Sequence, residues 1–382
     1  YAAAGSVSLG GTKTVTGRAV AAEQFTFNLI DSGNNVIRTA KNDADGNFTF
    51  GALNYTQSDA GMTYTYTIAE VNDGQGGYTY DSKISTVTVT IVDNGDGTLT
   101  VTPNYSPNAD FTNTYAATGS GIFSGRKAVE GTTLTAGRFT FNLLDEHRNV
   151  IRFTKNNAAG DFAFAPVLYT LADVGKTHTY YIVEVDDGQG GYTYDSREIE
   201  VTVTVTDNGD GTLTATPAYS PEANFNNSYA ATGSATFSGS KTLNGGTLAE
   251  NQFTFNLLDE SRVVIRTAKN DATGNFTFAP VNYTLADVEK THTYYITEVD
   301  DGQPRITYDN HECAVFVTLI DNGDGTLTPI LEFAGETTFV NTEDPPLNVS
   351  VHKMWECEPR QHPKSVTVQL YRDGTAYGDA VT

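Results

Sequence analysis

A lysine, a glutamate and an asparagine recur together three times in this chain, at a fixed interval of 114 residues. Glu70 follows Lys13 by 57 residues and Asn113 follows Glu70 by 43, and the other two sets keep this spacing. A neutral amine can attack a carboxamide carbon with loss of ammonia, while a protonated glutamic acid can polarise the carboxamide carbonyl and transfer a proton to the leaving group. The three candidate sets are Lys13/Glu70/Asn113, Lys127/Glu184/Asn227 and Lys241/Glu298/Asn341.

Alternation along extended segments predicts that these polar side chains face a hydrophobic core. Lys13 lies on the same side of its strand as Leu9, Glu70 shares a side with Ile68, and Asn113 shares a side with Phe111. Burial lowers the pKa of a lysine and raises the pKa of a glutamate, which favours the neutral forms that a Lys–Asn isopeptide bond requires. A buried Lys–Glu ion pair with the asparagine beside it fits the residues equally well.

The interval of 114 residues is the size of a whole domain rather than of a solenoid unit. The segment Phe25–Leu29 returns at 139–143 and 253–257, without insertions between the copies. We therefore predict three tandem domains over residues 1–116, 117–230 and 231–343. A Pro-Pro linker then leads into residues 344–382, which we expect to be the truncated start of a different domain.

Threonine, valine, tyrosine and phenylalanine alternate along most of each repeat, and glycine-rich turns interrupt them every eight to twelve residues. This pattern predicts an all-β fold of immunoglobulin-like β-sandwiches in a linear array, with eight or nine strands per repeat. The recurring motif Asp93–Leu99 is interpreted as a tight turn. A calcium loop is disfavoured because alternate ligand positions would fall on Gly95 and Gly97, which have no side-chain oxygen.

The amino-acid composition of the chain disfavours some classes of binding partner. The chain has 46 acidic and 23 basic residues and a formal net charge of -23, which disfavours nucleic acid. Cys313 and Cys357 lie in different predicted domains, and Cys313 is interpreted as a small core residue. No apolar run reaches the roughly 20 residues of a membrane span, and no motif indicates a cofactor or a metal.

Further lysines recur at the same interval, namely Lys41, Lys155 and Lys269. They flank polar turns and are predicted to be solvated. An enzymatic site such as a glycosidase is disfavoured, because each repeat places only one periodic glutamate on its core face, whereas glycosidases use a pair of carboxylates in a cleft.

The pattern around Lys13, Gln24–Phe27, Tyr64–Glu70 and Phe111–Asn113 resembles the pilin isopeptide-linkage domains of Gram-positive bacteria, of the streptococcal pilin type. The resemblance spans each repeat. It implies that the lysine of the first strand and the asparagine of the last strand join spontaneously, with the glutamate assisting. The third copy departs from its sisters at Pro304, Arg305 and Glu343.

The tail segments Val349–Trp355 and Pro363–Tyr371 resemble the start of a collagen-adhesin B-type (Cna B-like) domain. The resemblance implies that Lys353 is a cross-linking amine. Its glutamate and asparagine or aspartate partners would lie after Thr382, so Lys353 is expected to be unreacted in this sequence.

The resemblance implies a structural stalk or shaft on a Gram-positive surface, either a pilus or a cell-wall-anchored protein. Its expected partners are sibling pilin subunits or host surfaces. It is not expected to be an enzyme, since each site would act once, on its own chain. The alternative is a set of adhesin domains whose loops bind a host protein or glycan through exposed tyrosines such as Tyr78 and Tyr80.

Overall fold

A computed structural model describes residues 1–356 and 364–382 of the chain. The chain divides into two compact units, the first comprising Tyr1–Thr232 with Asp321–Thr326, and the second comprising Gly233–Ile320 with Leu327–Thr382. The regular secondary structure of the described residues is β-strand, apart from three short 3₁₀ turns at Gln57–Asp59, Leu171–Asp173 and Leu285–Asp287. The predicted all-β fold is confirmed.

The first repeat forms two facing sheets. Its strands are β1 (Ala4–Thr16), β2 (Thr26–Ile30), β3 (Val36–Lys41), β4 (Asn47–Thr56), β5 (Thr63–Glu70), β6 (Tyr78–Thr79), β7 (Ile84–Asp93), β8 (Leu99–Ser106) and β9 (Asp110–Tyr115). One sheet has the order β4-β1-β9-β6 and the other β3-β2-β5-β7-β8. The first and last strands, β1 and β9, are therefore neighbours, and they pair in parallel.

The second repeat has the same two sheets, in the orders β14-β11-β20-β17 and β13-β12-β16-β18-β19, with a separate pair β10-β15. Its strands are β10 (Thr118–Gly121), β11 (Ser124–Glu130), β12 (Thr140–Leu144), β13 (Val150–Lys155), β14 (Asp161–Ala163), β15 (Val167–Thr170), β16 (Thr177–Glu184), β17 (Tyr192–Thr193), β18 (Glu198–Asp207), β19 (Leu213–Ser220) and β20 (Asn224–Tyr229).

The third repeat repeats this plan, in the orders β25-β22-β31-β28, β24-β23-β27-β29-β30 and β21-β26. Its strands are β21 (Thr232–Ala235), β22 (Ser238–Asn244), β23 (Thr254–Leu258), β24 (Val264–Lys269), β25 (Asn275–Thr277), β26 (Val281–Thr284), β27 (His292–Glu298), β28 (Ile306–Thr307), β29 (Glu312–Asp321), β30 (Leu327–Ala334) and β31 (Thr338–Glu343).

The first repeat has nine strands, within the expected eight or nine, whereas the other two have eleven because two long strands are each divided. In the first repeat, Ala52 pairs with Ser8 in the β1–β4 ladder. The equivalent residues of the later repeats are Pro166 and Pro280. Proline has no N–H to donate, so the ladder breaks there.

Aromatic side chains fill the space between the two sheets. In the first repeat, the rings of Phe27 and Phe48 stack with their centroids 3.8 Å apart, and Phe27 also meets Phe111 of β9 at 5.2 Å. Cys313 is fully buried on β29, as expected of a small core residue. Cys357 lies outside the described residues.

The tail differs from its prediction. The segment Leu347–Trp355 has a strand-like sequence that predicts the first strand of a new domain, but residues 344–356 form no strand in the described chain, so this prediction is wrong there. Two short strands follow, β32 (Tyr371–Arg372) and β33 (Thr375–Ala376). Pro363 lies outside the described residues, and the Cna B-like assignment stays a prediction.

The recurring Asp93–Leu99 motif forms the turn between β7 and β8. Asp93 Oδ1 accepts a hydrogen bond from the Gly95 N–H at 2.9 Å, and Asp96 Oδ1 accepts from the Thr98 N–H at 3.0 Å. The carboxylates therefore cap their own turn, in agreement with the turn interpretation.

Candidate functional site

Three strands bring the predicted set together inside the first repeat. In the parallel pair β1–β9, Lys13 lies opposite Phe111, and Asn113 lies opposite Val15, so the two polar side chains emerge on the same face two residues apart. Glu70 reaches them from β5 in the facing sheet. Lys13 is 1% exposed and Asn113 is fully buried, so the predicted inward orientation is confirmed.

One carboxylate connects the amine and the carboxamide. Lys13 Nζ donates to Glu70 Oε2 at 2.8 Å, and Asn113 Nδ2 donates to Glu70 Oε1 at 2.9 Å. The corresponding distances are 2.9 and 2.8 Å in the second repeat and 2.7 and 2.8 Å in the third. The sequence-predicted residues of all three sets therefore meet in the same arrangement.

A further contact holds the asparagine carbonyl, and the sequence reasoning missed it. The Asp81 backbone N–H donates to Asn113 Oδ1 at 2.8 Å. Since an N–H needs an acceptor, this bond assigns the amide orientation and places Nδ2 against the glutamate. Asp195 and Asp309 make the same bond at 2.8 Å. The signal was available, because these aspartates also recur at 114 residues.

The aspartate side chain anchors its loop to the last strand. Asp81 accepts hydrogen bonds from the backbone N–H groups of Thr112 at 2.8 Å and Lys83 at 2.9 Å. We call the residues Asp81–Lys83, and their equivalents Asp195–Arg197 and Asp309–His311, the strap. The strap fixes a backbone N–H on the carbonyl oxygen of the asparagine in each repeat.

Burial dominates the electrostatics of the site. It lowers the pKa of Lys13, against the opposing hydrogen bond and charge of Glu70, and it raises the pKa of Glu70, against the same bond to Lys13. The shifts have the same directions and the same leading cause in the other two repeats. The amine also lies 4.9 Å from the ring centroid of Phe25. Both shifts are in the direction of the uncharged form, for the amine and for the acid.

Other predicted positions lie elsewhere. Lys353 is exposed, with its Nζ 5.0 Å from the ring of Trp355. The three periodic lysines outside the site are exposed, as predicted: Lys41, Lys155 and Lys269.

Tyr78 and Tyr80 are not exposed as predicted, and the adhesin alternative for which they were named stays a prediction. Both are half-buried, because the glycine-rich loop folds back on the sandwich. The Tyr78 hydroxyl accepts a hydrogen bond from Gln24 at 2.7 Å, and the Tyr80 hydroxyl donates to Asp73.

The fold and the site together define a tandem β-sandwich protein with one buried Lys–Glu–Asn site in each of three repeats. The chain belongs to the FctA family, the Spy0128-like isopeptide containing domain, whose model matches residues 9–116, 123–230 and 237–344. No curated protein matches the chain.

Solved structures with low sequence identity are also similar. The major pilin protein T-13 of Streptococcus pyogenes is 16% identical over 60% of this chain and 99% of its own, with a TM-score of 0.22. BcpA, the major pilin subunit of Bacillus cereus, is 13% identical over 89% of this chain and 100% of its own, with a TM-score of 0.20. Among the described residues, no helix is long and apolar enough to span a membrane.

Proposed function

We propose that this chain is a load-bearing part of a pilus shaft or surface stalk of a Gram-positive bacterium, and that each repeat is closed by a Lys–Asn isopeptide bond. The observation that carries the proposal is the buried glutamate, which accepts a hydrogen bond from the amine on one oxygen and from the carboxamide on the other. Membership in the isopeptide containing family supports it.

The proposed bonds are Lys13–Asn113, Lys127–Asn227 and Lys241–Asn341. In the first repeat, neutral Lys13 Nζ attacks Asn113 Cγ, and the new Nζ–Cγ bond replaces the Cγ–Nδ2 bond. Protonated Glu70 donates its proton to Nδ2, which leaves as ammonia, and receives one from Nζ, so it ends as it began. The Asp81 N–H stabilises the negative charge that develops on Oδ1.

The glutamate therefore acts on the nitrogens rather than on the carbonyl. It contacts Nδ2, while a backbone N–H contacts Oδ1. Each site reacts once and consumes its own residues, so we classify the protein as structural. We keep 1–116, 117–230 and 231–343 as the proposed domain limits, and we propose sibling pilin subunits as partners.

Intact-mass measurement of the full chain tests the bonds. Three closed repeats would lower the mass by three ammonia masses relative to the value calculated from the sequence. Glu184→Ala and Asn227→Ala should each leave the second repeat open and restore one ammonia mass, after correction for the substitution itself. Glu146→Ala, an exposed change in the same repeat, is the control and should retain all three losses.

A wild-type mass equal to the calculated value would refute the proposal. Mass spectrometry of peptides should also find Lys127 joined to Asn227. Joining of any other pair would refute the assignment of the residues, even with the right total mass.

A further inference from the structure

The end of the first repeat is held on a turn of the second, within the same compact unit. Tyr115, the last residue of β9, is only 4% exposed and packs into the hydrophobic core of the second repeat. Its hydroxyl donates to Asp207 Oδ1 at 2.7 Å and accepts from the Gly211 N–H at 3.3 Å. Asp207 is the last residue of β18, and Gly211 lies in the turn that leads from β18 to β19.

Two backbones also touch at this place, and their glycines are required there. A Cβ on Gly76 would lie 2.2 Å from the Asp210 carbonyl oxygen, and a Cβ on Gly77 would lie 2.7 Å from Gly211 Cα. A Cβ on Gly211 would in turn lie 2.7 Å from Gly77 Cα. Any side chain at these positions would force the two repeats apart.

We call Gly76, Gly77 and Tyr115 the joint end, and Asp207–Thr212 the joint turn. Arg18 connects them further, since its guanidinium lies 4.7 Å from the Tyr115 ring centroid and 3.9 Å from the Asp207 carboxylate. The first unit holds a second example, in which Tyr229 donates to Asp321 at 2.6 Å and accepts from Gly325 at 3.3 Å.

Comparison with Tyr1 shows that the two hydrogen bonds alone do not bury the tyrosine. Its hydroxyl makes the same two bonds to the β7–β8 turn, with Asp93 at 3.0 Å and Gly97 at 2.8 Å. Nevertheless Tyr1 is 76% exposed. Burial of the tyrosine therefore comes from the joint end and the joint turn acting together.

The third repeat carries a different end. Pro304 and Arg305 replace the two glycines, and Glu343 replaces the tyrosine. Arg305 keeps the left-handed backbone of Gly77, with φ of 65° against 81°, and its guanidinium pairs with Glu343. The loop conformation is thus retained, while a side chain occupies the position where the joint requires none.

We propose that the joint end and the joint turn form a rigid contact that is specific for a following copy of the same repeat. We further propose that Arg305 and Glu343 prevent the third repeat from binding such a copy in this way. The contact uses the turn sequence Asp-Asn-Gly-Asp-Gly-Thr, which each repeat carries. It does not depend on the isopeptide bonds, because its residues lie outside the buried sites.

The test measures the distribution of distances between two spin labels in the full chain by pulsed electron paramagnetic resonance. Labels at Val36→Cys and Val150→Cys occupy equivalent exposed positions in the first two repeats, with Cys357→Ser removing a native thiol and buried Cys313 retained. The parent chain should give one narrow distribution. Gly77→Arg with Tyr115→Glu, which copies the third repeat, should broaden it at least about twofold.

Gly74→Arg is the matched control. Gly74 lies in the same loop with a φ of 77°, and a Cβ there would meet no heavy atom within 4 Å. It should keep the narrow distribution. Asp207→Ala changes the joint from the other repeat and should also broaden the distribution, with native hydrogen-exchange protection in both repeats. A distribution that stays narrow in Asp207→Ala and in the double variant, or that broadens equally in Gly74→Arg, would overturn the proposal.

Discussion

At the scale of single residues, the site is defined by which atom each group contacts. The glutamate carboxylate meets two nitrogens, and the carbonyl oxygen of the asparagine meets a backbone N–H. The proposed reaction therefore separates proton transfer, assigned to the glutamate, from charge stabilisation, assigned to the strap. This division predicts that the strap carboxylate controls the rate through position rather than through its own proton.

Asp195→Ala should slow bond formation in the second repeat at least about tenfold, because the N–H that stabilises the developing charge is no longer anchored. Asp195→Asn keeps an acceptor for the Asn226 N–H and should slow it less. The measurement is the fraction of linked second repeat over time after cell-free synthesis, by peptide mass spectrometry. The first and third repeats are internal controls, and equal rates in all three would contradict the assigned role.

The charge of the strap carboxylate in the second repeat makes stability depend on pH only in acid. Hydrogen bonds from Arg197 hold the pKa of Asp195 at about 2, below its ordinary value of 3.8. A depressed folded-state pKa contributes stability that is present above pH 3.8 and is lost as the pH falls toward 2. Asp195 therefore stays ionised between pH 8 and pH 4, and its titration does not contribute to a change in the linking rate of the second repeat over that interval.

At the scale of strands and loops, the three straps share their aspartate and differ in the residues after it: Asn310 replaces a serine in the third strap, and the last residue differs in all three. Lys83 and Arg197 correspond to His311 in the third repeat. Both His311 ring nitrogens face oxygens, with Nδ1 2.6 Å from Asp309 Oδ1 and Nε2 2.9 Å from the Glu336 carbonyl oxygen. Only the doubly protonated ring can donate to both. The third strap is thus the one whose charge changes near neutral pH.

We expect His311 to titrate above its ordinary pKa of 6.5, because the hydrogen bonds to Asp309 and Glu336 outweigh the opposing effect of burial. A raised folded-state pKa contributes stability that is complete below pH 6.5 and is lost as the pH rises through the folded value. The loss should stay below about 1 kcal/mol, since the pair is partly exposed.

Titration of His311 by NMR gives the pKa directly, and denaturant unfolding at pH 6 and pH 8 gives the stability change of the third repeat. His311→Lys restores the residue type of the first repeat and should remove the pH dependence over this interval. A midpoint at or below 6.5 would contradict the prediction.

The sequence predicted that the lysine, glutamate and asparagine face the core because alternation along a strand is a local property. Lys13 and Glu70 could be assigned to the core face from their own neighbours. The recurrence of Asp81 at 114 residues marked its position, but the contact was missed because it uses a backbone N–H, whose direction the residue type does not show. The exposure of Tyr78 was predicted wrongly, since a glycine-rich loop gives no indication of the direction in which it folds.

At the scale of the whole molecule, the proposed bonds would change how each repeat bears load. The strands joined are the first and the last of the repeat, and they are parallel neighbours. Pulling on the chain would slide them lengthwise, so the ladder bonds resist together. Closing a loop of about 100 residues would also stabilise the fold by ~4.7 kcal/mol on the chain-entropy estimate, which is comparable with the total stability of many domains.

Single-molecule pulling should show no extension of a closed repeat. In Glu184→Ala, the second repeat should unfold and release the 99 residues between Lys127 and Asn227, roughly 330–360 Å of extended chain. Glu146→Ala should behave as the parent. An unfolding step of that length in the parent chain would show that the bonds are absent or do not carry the load.

Because β1 is the first strand of the repeat and β9 is the last, the lysine is synthesised before the asparagine to which it would be joined. The lysine leaves the ribosome about 100 residues before its asparagine, an interval on the order of 5 to 20 s at ordinary elongation rates. No bond can close until the last strand has been made and has inserted beside the first in register. A closed bond would therefore show that its repeat was synthesised to the end and folded in the correct register. A prematurely terminated or misregistered copy would lack the bond and would remain susceptible to proteases.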